Sequence, residues 1–184
     1  MTALASKGQL RMSLLRYALV TVPLVLLLGT VSGRLSNSGY GNRWFDALAK
    51  PDFMPPGWVF GAAWTILYIL LGVALALLLH ARGARGRGRA IGLFLFQLVL
   101  NFAWSPVFFA WHRIDWALML IGAMVVLTVV LIVLLWRIRR LAALLILPYL
   151  AWIAFAAALT FSIGVLNPDA PQVAPQPVTT DITL

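Results

Sequence analysis

Apolar residues come in five long blocks along the chain, about Tyr17–Gly33, Trp58–Leu79, Ala90–Ala110, Asp115–Trp136 and Leu141–Leu166. A helix needs about 20 apolar residues to cross a bilayer, and each block is close to that length. Polar segments separate them. Residues 1–16 carry Lys7, Arg11 and Arg16, and Arg34–Gly57 is rich in Gly, Asn and Ser and holds Pro51, Pro55 and Pro56. The run HARGARGRGR fills His80–Arg89, and a proline-rich stretch closes the chain from Asn167. The pattern predicts an all-α fold, an integral membrane bundle of five transmembrane helices. It divides into a basic cytoplasmic segment 1–16, a membrane domain 17–166 and a tail 167–184 that reads as disordered, being proline-rich and free of Lys and Arg. There is no internal repeat.

Composition agrees. Hydrophobic residues make up 62% of the chain and charged residues 10%, whereas soluble domains are about half apolar and a quarter charged. A rival reading makes the first block a signal peptide, since a basic start precedes a short apolar run ending in Ser32 and Gly33. The lack of a good A-x-A cleavage site speaks against it.

The net charge of +9 suggests nucleic acid only until the arginines are placed. They lie in short loops between spans. The N-terminus and the loops after spans two and four hold ten basic residues and no acid, while the other side holds Arg34, Arg43, Lys50 and Arg113 among five acids. Basic loops stay in the cytoplasm, so the N-terminus is expected there and the C-terminus outside. No nucleic-acid partner is expected; the lipid bilayer is.

There is no cysteine, and His80 and His112 are the two histidines, both at span ends. Neither a thiol nucleophile nor a histidine-rich metal site is available. No span carries an ionisable residue at its middle, as proton relays and ion-coupled transporters usually do. No Ser-His-Asp set, Walker motif or dinucleotide fingerprint is present.

Eight tryptophans remain to be explained. Trp44, Trp58, Trp111, Trp116 and Trp136 lie near span ends and suit an interfacial aromatic belt. Trp64, Trp104 and Trp152 sit deeper. Gln97, Asn101 and Ser105 share one stripe of span three at spacing i, i+4, i+8, flanked by Trp104 and Phe108. Phe60, Trp64 and Tyr68 share a stripe of span two, with Thr65 beside it. Span five offers Tyr149, Trp152, Ala156 and Thr160. Span four has Thr128 as its one interior polar residue and reads as the most lipid-exposed. Spacing alone leaves two readings open, hydrogen-bonded contact between helices or the wall of a neutral aromatic cavity. Such a cavity suits a large flat apolar ligand.

The segment WFDALAKPDFMPPGWVFGAAWTILY, Trp44–Tyr68, resembles the signature of the TspO/MBR family, the tryptophan-rich sensory proteins related to the mitochondrial translocator protein. QLVLNFAWSPVFF, Gln97–Phe109, and PYLAWIAFAAALTFSI, Pro148–Ile163, are similar to the family's third and fifth helices. The resemblance covers about residues 17–166 and implies a five-helix bundle, usually homodimeric, with the first loop folded over a pocket.

It also implies a membrane-embedded binder or sensor of porphyrins such as protoporphyrin IX, needing no other cofactor, in a bacterial cell membrane. Two alternatives travel with the resemblance: a light- and oxygen-dependent porphyrin-degrading enzyme, with Trp64 and Trp152 as its redox-active aromatics, and a tetrapyrrole or lipophile transporter. Carried over by motif, the pocket residues are Phe45, Trp64, Asn101, Trp104, Ser105, Trp152 and Ala156. Most already stand on the stripes, and the stripes add Tyr68, Gln97 and Phe108. Lys50 and Arg43 are placed to meet a propionate or to remain solvated loop charges. Phe45 stands where many members have tyrosine, and Thr160 where many have asparagine. Sterol recognition has little support, since the forward pattern Leu35, Tyr40, Arg43 lies in the first loop.

Overall fold

A computed structural model describes residues 7–172, and they form helices joined by short turns, with no strand among them. The elements are α1 (Lys7–Leu35), α2 (Arg43–Ala47), α3 (Gly57–His80), α4 (Arg87–Ser105), α5 (Ile114–Ile138) and α6 (Arg140–Leu166). A π-helical turn, Pro106–Ala110, prolongs α4, and a 3-10 turn, Ala170–Gln172, follows α6. The five long helices are each long and apolar enough to span a membrane.

Their order in space is a closed ring. α1 lies along α3, α3 along α6, α6 along α5 and α5 along α4, and α4 returns to touch α1 and α3. The first helix is therefore built into the bundle. Thr21 donates its hydroxyl hydrogen to the Gly72 carbonyl at 2.8 Å. A Cβ on Gly72 would stand 2.6 Å from Val22 Cα, so only glycine permits this approach. Small residues at such a crossing let backbones pack closely in lipid, where no hydrophobic force drives helices together. α1 still buries the smallest share of its residues of the five spans, less than α5. This corrects the expectation that span four is the most lipid-exposed: α1 meets mainly α3, whereas α5 is packed between α4 and α6.

The arginine loop after α3 turns on Gly83 and Gly86, both at positive φ (77° and 81°). Arg87 folds back to donate to the Leu78 and Leu79 carbonyls at 3.2 and 2.8 Å, closing the end of α3. Two buried clusters form the core. One fills the half of the bundle near this loop and includes Leu71, Leu78, Phe94, Met124, Leu135 and Ile146. The other, at the opposite end, gathers Trp44, Phe45, Phe108, Phe109, Ile114 and Leu159.

The first loop and the tail depart from expectation. The loop holds the short helix α2, and α1 runs to Leu35 before Asn37, at φ 49°, breaks it. Residues 167–172, expected to be disordered, pack on that loop. Asn167 Nδ2 donates to the Ala49 carbonyl at 2.9 Å, and the Ala49 N–H donates to Asn167 Oδ1 at 2.8 Å. The expectations for residues 1–6 and 173–184 lie outside the described residues.

Candidate ligand-binding site

The first loop is fastened from several sides. Asn42 caps α2, its Oδ1 accepting from the Phe45 N–H at 3.1 Å, while its amide donates to the Asn37 and Phe109 carbonyls. Trp44 is 1% exposed, so it does not belong to the aromatic belt. Its indole stacks on His112 at 4.4 Å, meets Phe108 edge-on and donates to the Ala170 carbonyl at 2.8 Å. Trp58, Trp111, Trp116 and Trp136 are exposed, as a belt requires. Lys50 turns inward on its own loop. Its ammonium donates to the carbonyls of Phe45, Asp46 and Leu48 at 2.8, 3.2 and 3.1 Å and lies 4.8 Å from the Phe45 ring centre. It is thus neither a free solvated charge nor aimed at a propionate; it ties the end of α2, where helix carbonyls lack partners. Arg43 lies exposed at the start of the same helix.

Beneath this loop, between the two core clusters, lies a cavity of about 480 Å³. Small-molecule sites commonly measure about 300–1,000 Å³. The structure brings eight of the ten expected residues to its wall: Phe45 from the loop, Trp64 and Tyr68 from α3, Trp104 and Ser105 from α4, Phe108 from the π-turn, and Trp152 and Ala156 from α6. Met54 lines it from the loop, and Phe53 packs edge-on against Phe155 at 6.3 Å.

Each indole is held differently. Trp64 stacks on Tyr68 at 5.2 Å, and Trp104 stacks on Phe108 at 5.1 Å while donating to the Ala117 carbonyl at 3.2 Å. Trp152 meets Phe60 edge-on at 5.8 Å, and its buried indole nitrogen has no hydrogen-bond partner. The side-chain oxygens of Gln97 and Asn101 are likewise buried without partners.

The two remaining residues, Gln97 and Asn101, are not on the wall. Both are buried. The Gln97 amide donates to Thr128 Oγ1 at 2.9 Å and to the Tyr149 hydroxyl at 3.0 Å, and the Asn101 amide donates to the same hydroxyl at 3.1 Å. This knot joins α4, α5 and α6. The helical stripe of α4 is real, but its deeper part is contact between helices and only its last turn reaches the cavity.

Sequence reasoning missed other walls. Pro106 has no N–H and its ring disfavours a regular helix around it. The π-turn that follows, closed by the Trp111 N–H on the Pro106 carbonyl at 2.9 Å, brings Phe109, which the sequence reading left out, to the cavity beside the expected Phe108. α1, given no role from sequence, contributes Gly29, Thr30, Gly33 and Arg34. Their i, i+4 spacing on the last turns was the available signal.

Fold and site together define a five-helix membrane bundle with an aromatic, lidded cavity near one end. The TspO/MBR family pattern matches residues 20–166. Over 124 residues the chain is 41% identical to the tryptophan-rich protein TspO of Archaeoglobus fulgidus, covering 67% of this chain and 80% of that one. It is 36% identical over 143 residues to the translocator protein of Homo sapiens (74% and 82%), and 34% identical over 131 residues to the tryptophan-rich sensory protein of Cereibacter sphaeroides (71% and 81%). The chain belongs to the TspO/MBR family and is an integral membrane protein.

Proposed function

We propose that the cavity binds a tetrapyrrole such as protoporphyrin IX and that the protein acts as a membrane sensor or carrier of such molecules. One observation carries this reading: Trp64, Trp104 and Trp152, on three different helices, line a single cavity whose wall is otherwise mostly apolar. A flat π-system gains about 0.5–1.5 kcal/mol from each aromatic neighbour beyond simple burial. A micromolar constant corresponds to about 8 kcal/mol, so hydrophobic contact over the ring supplies most of the affinity. The names of two relatives, a sensory protein and a translocator protein, are in keeping with a sensor or carrier role.

Titration of the purified protein with protoporphyrin IX, followed by tryptophan fluorescence, tests the reading. Saturable quenching in the micromolar range or below is expected, because the indoles would lie against an absorbing ring. Absence of saturable quenching removes the porphyrin site.

The presence of Trp64 and Trp152 on the cavity wall supports a second reading, in which a photoexcited porphyrin takes an electron from one of these indoles and dioxygen is the oxidant for its breakdown. The porphyrin band should then fade in light and oxygen but not in the dark, and a Trp64→Phe, Trp152→Phe double variant should abolish the loss. Full breakdown by that variant removes the enzyme reading and leaves the binder.

A further inference from the structure

α1 ends at the cavity. Asn37 adopts a left-handed backbone, and the Ser38 N–H and hydroxyl both donate to the Gly33 carbonyl, at 3.0 and 2.7 Å. The last turn of α1 is thereby fixed with Arg34 on the cavity rim. Thr30 and Arg34 of α1 and Gly61 and Thr65 of α3 both line the cavity and are exposed, so the mouth lies sideways in the seam between these helices. A Cβ on Gly61 would meet nothing within 4 Å, which leaves the seam open there. The top, by contrast, is covered by Phe45 and Met54.

Among the described residues that line the cavity, Arg34 alone is charged. Its guanidinium makes no hydrogen bond or ion pair with any other described residue. Lys50, the other cation close to the site, is held by three carbonyls of its own loop. As the last-turn cation of a spanning helix, Arg34 sits where an ionised group is tolerated, at the boundary between hydrocarbon and headgroups. An acidic amphiphile moving in the bilayer holds its carboxylate at that level and its ring below.

We infer that Arg34 anchors a ligand carboxylate at this lateral mouth, so that the site selects flat amphiphiles bearing an acid group, ring inward and acid outward. For porphyrins the inference rests on the reading above and adds a preference for the free acid. A guanidinium matches a carboxylate through paired N–H donors, while lysine supplies the charge without the fork. Helix-end stabilisation is the competing role for Arg34, and any cation there would fill it.

The experiment is a quenching titration of the full chain in nanodiscs of zwitterionic lipid. The probes are protoporphyrin IX and its dimethyl ester, and pyrenebutyrate and its methyl ester. For the wild type at low salt, each acid should bind about three- to tenfold tighter than its ester, the scale of a solvent-exposed ion pair strengthened by bidentate geometry. Arg34→Gln should bring both ratios to about one, each acid losing more affinity than its ester. Arg34→Lys should keep a reduced preference. Salt approaching 1 M, where the screening length is about 3 Å, should shrink the wild-type ratio. Saturable binding with an acid-to-ester ratio of one in the wild type, or an unchanged ratio in Arg34→Gln, overturns the role of Arg34 and leaves porphyrin binding standing. Unsaturable porphyrin titrations beside an Arg34-dependent pyrenebutyrate preference overturn the porphyrin reading and support the anchor. No saturable binding of any probe overturns both.

Discussion

The middle and the end of α4 put similar residues to different uses. Near its middle, Gln97 and Asn101 converge on the Tyr149 hydroxyl, and the Gln97 amide also reaches Thr128 on α5. The half of the bundle around them is filled by Leu, Ile and Phe side chains. One turn beyond Asn101, Ser105 and Trp104 face a cavity, and Pro106 opens the helix into a π-turn. Polar groups in lipid need partners whether or not a ligand is present, so a polar stripe does not by itself distinguish glue from site. Depth along the stripe decides. Where three helices close on one another, the amide N–H groups of Gln97 and Asn101 are taken up by Thr128 and Tyr149 while their oxygens stay buried without partners; where α4 loses regularity beneath the loop, space is left.

Stability and binding should therefore separate by position. The largest effect is expected where α1 crosses α3. Gly72→Leu places a side chain against the Val22 backbone, which cannot move without parting the helices. It should cost about 3 kcal/mol and sharply lower the yield of folded protein, read by thermal unfolding in detergent. Next comes Gln97→Ala, which removes the bonds to Thr128 and Tyr149. About 1–2 kcal/mol of stability should be lost, with probe affinity nearly unchanged. Loss of binding at unchanged stability would put Gln97 in the site and undo the division of α4 drawn above. Trp152→Phe should do the reverse, leaving unfolding close to wild type and weakening porphyrin about two- to tenfold, because a ring remains but a smaller one.

Much of this was legible in the sequence. The five spans follow from block length, and the helices extend the predicted blocks by a few residues at most ends; α1 starts at Lys7 because helix can continue out of the hydrocarbon where its first turns are polar. Trp64, Trp104 and Trp152 stood out because indoles away from the interface need a reason. What stayed hidden depends on contacts between distant segments. Trp44 reads as interfacial by position, yet His112, Phe108 and Ala170 bury it. Lys50 reads as a propionate partner or a solvated charge until α2, too short to show as a periodic pattern, and the Leu48 that caps it present three carbonyls to it. Arg34 looks like any loop arginine until the turn at Asn37 fixes it on the rim.

The smallest expected effect tests whether the lid and the tail act as one piece. The loop is held by α2 capping, by the Trp44 indole on Ala170 and by the reciprocal pair between Asn167 and Ala49. The reciprocal pair is solvent-exposed, so its net value is at the low end for hydrogen bonds, about 0.5 kcal/mol. Asn167→Ala removes both bonds, together with the one its amide donates to the Ile163 carbonyl within its own segment, and leaves Trp44 in place. Opening of the loop should become about twofold more frequent, since 1.4 kcal/mol is a factor of ten. Trypsin cleavage after Arg43 reads this directly, because the protease must unwind α2 and draw Trp44 out of its buried site, whereas the Lys50–Pro51 bond resists trypsin. With opening fast relative to cutting, the cleavage rate follows the open population. Added porphyrin should slow cutting in wild type and variant alike, as Phe45 and Met54 of the loop gain a ligand surface beneath them. A cleavage rate unchanged by Asn167→Ala would mean that α2 and Trp44 hold the lid without the tail, and a rate indifferent to porphyrin would mean that the loop does not close on a ligand.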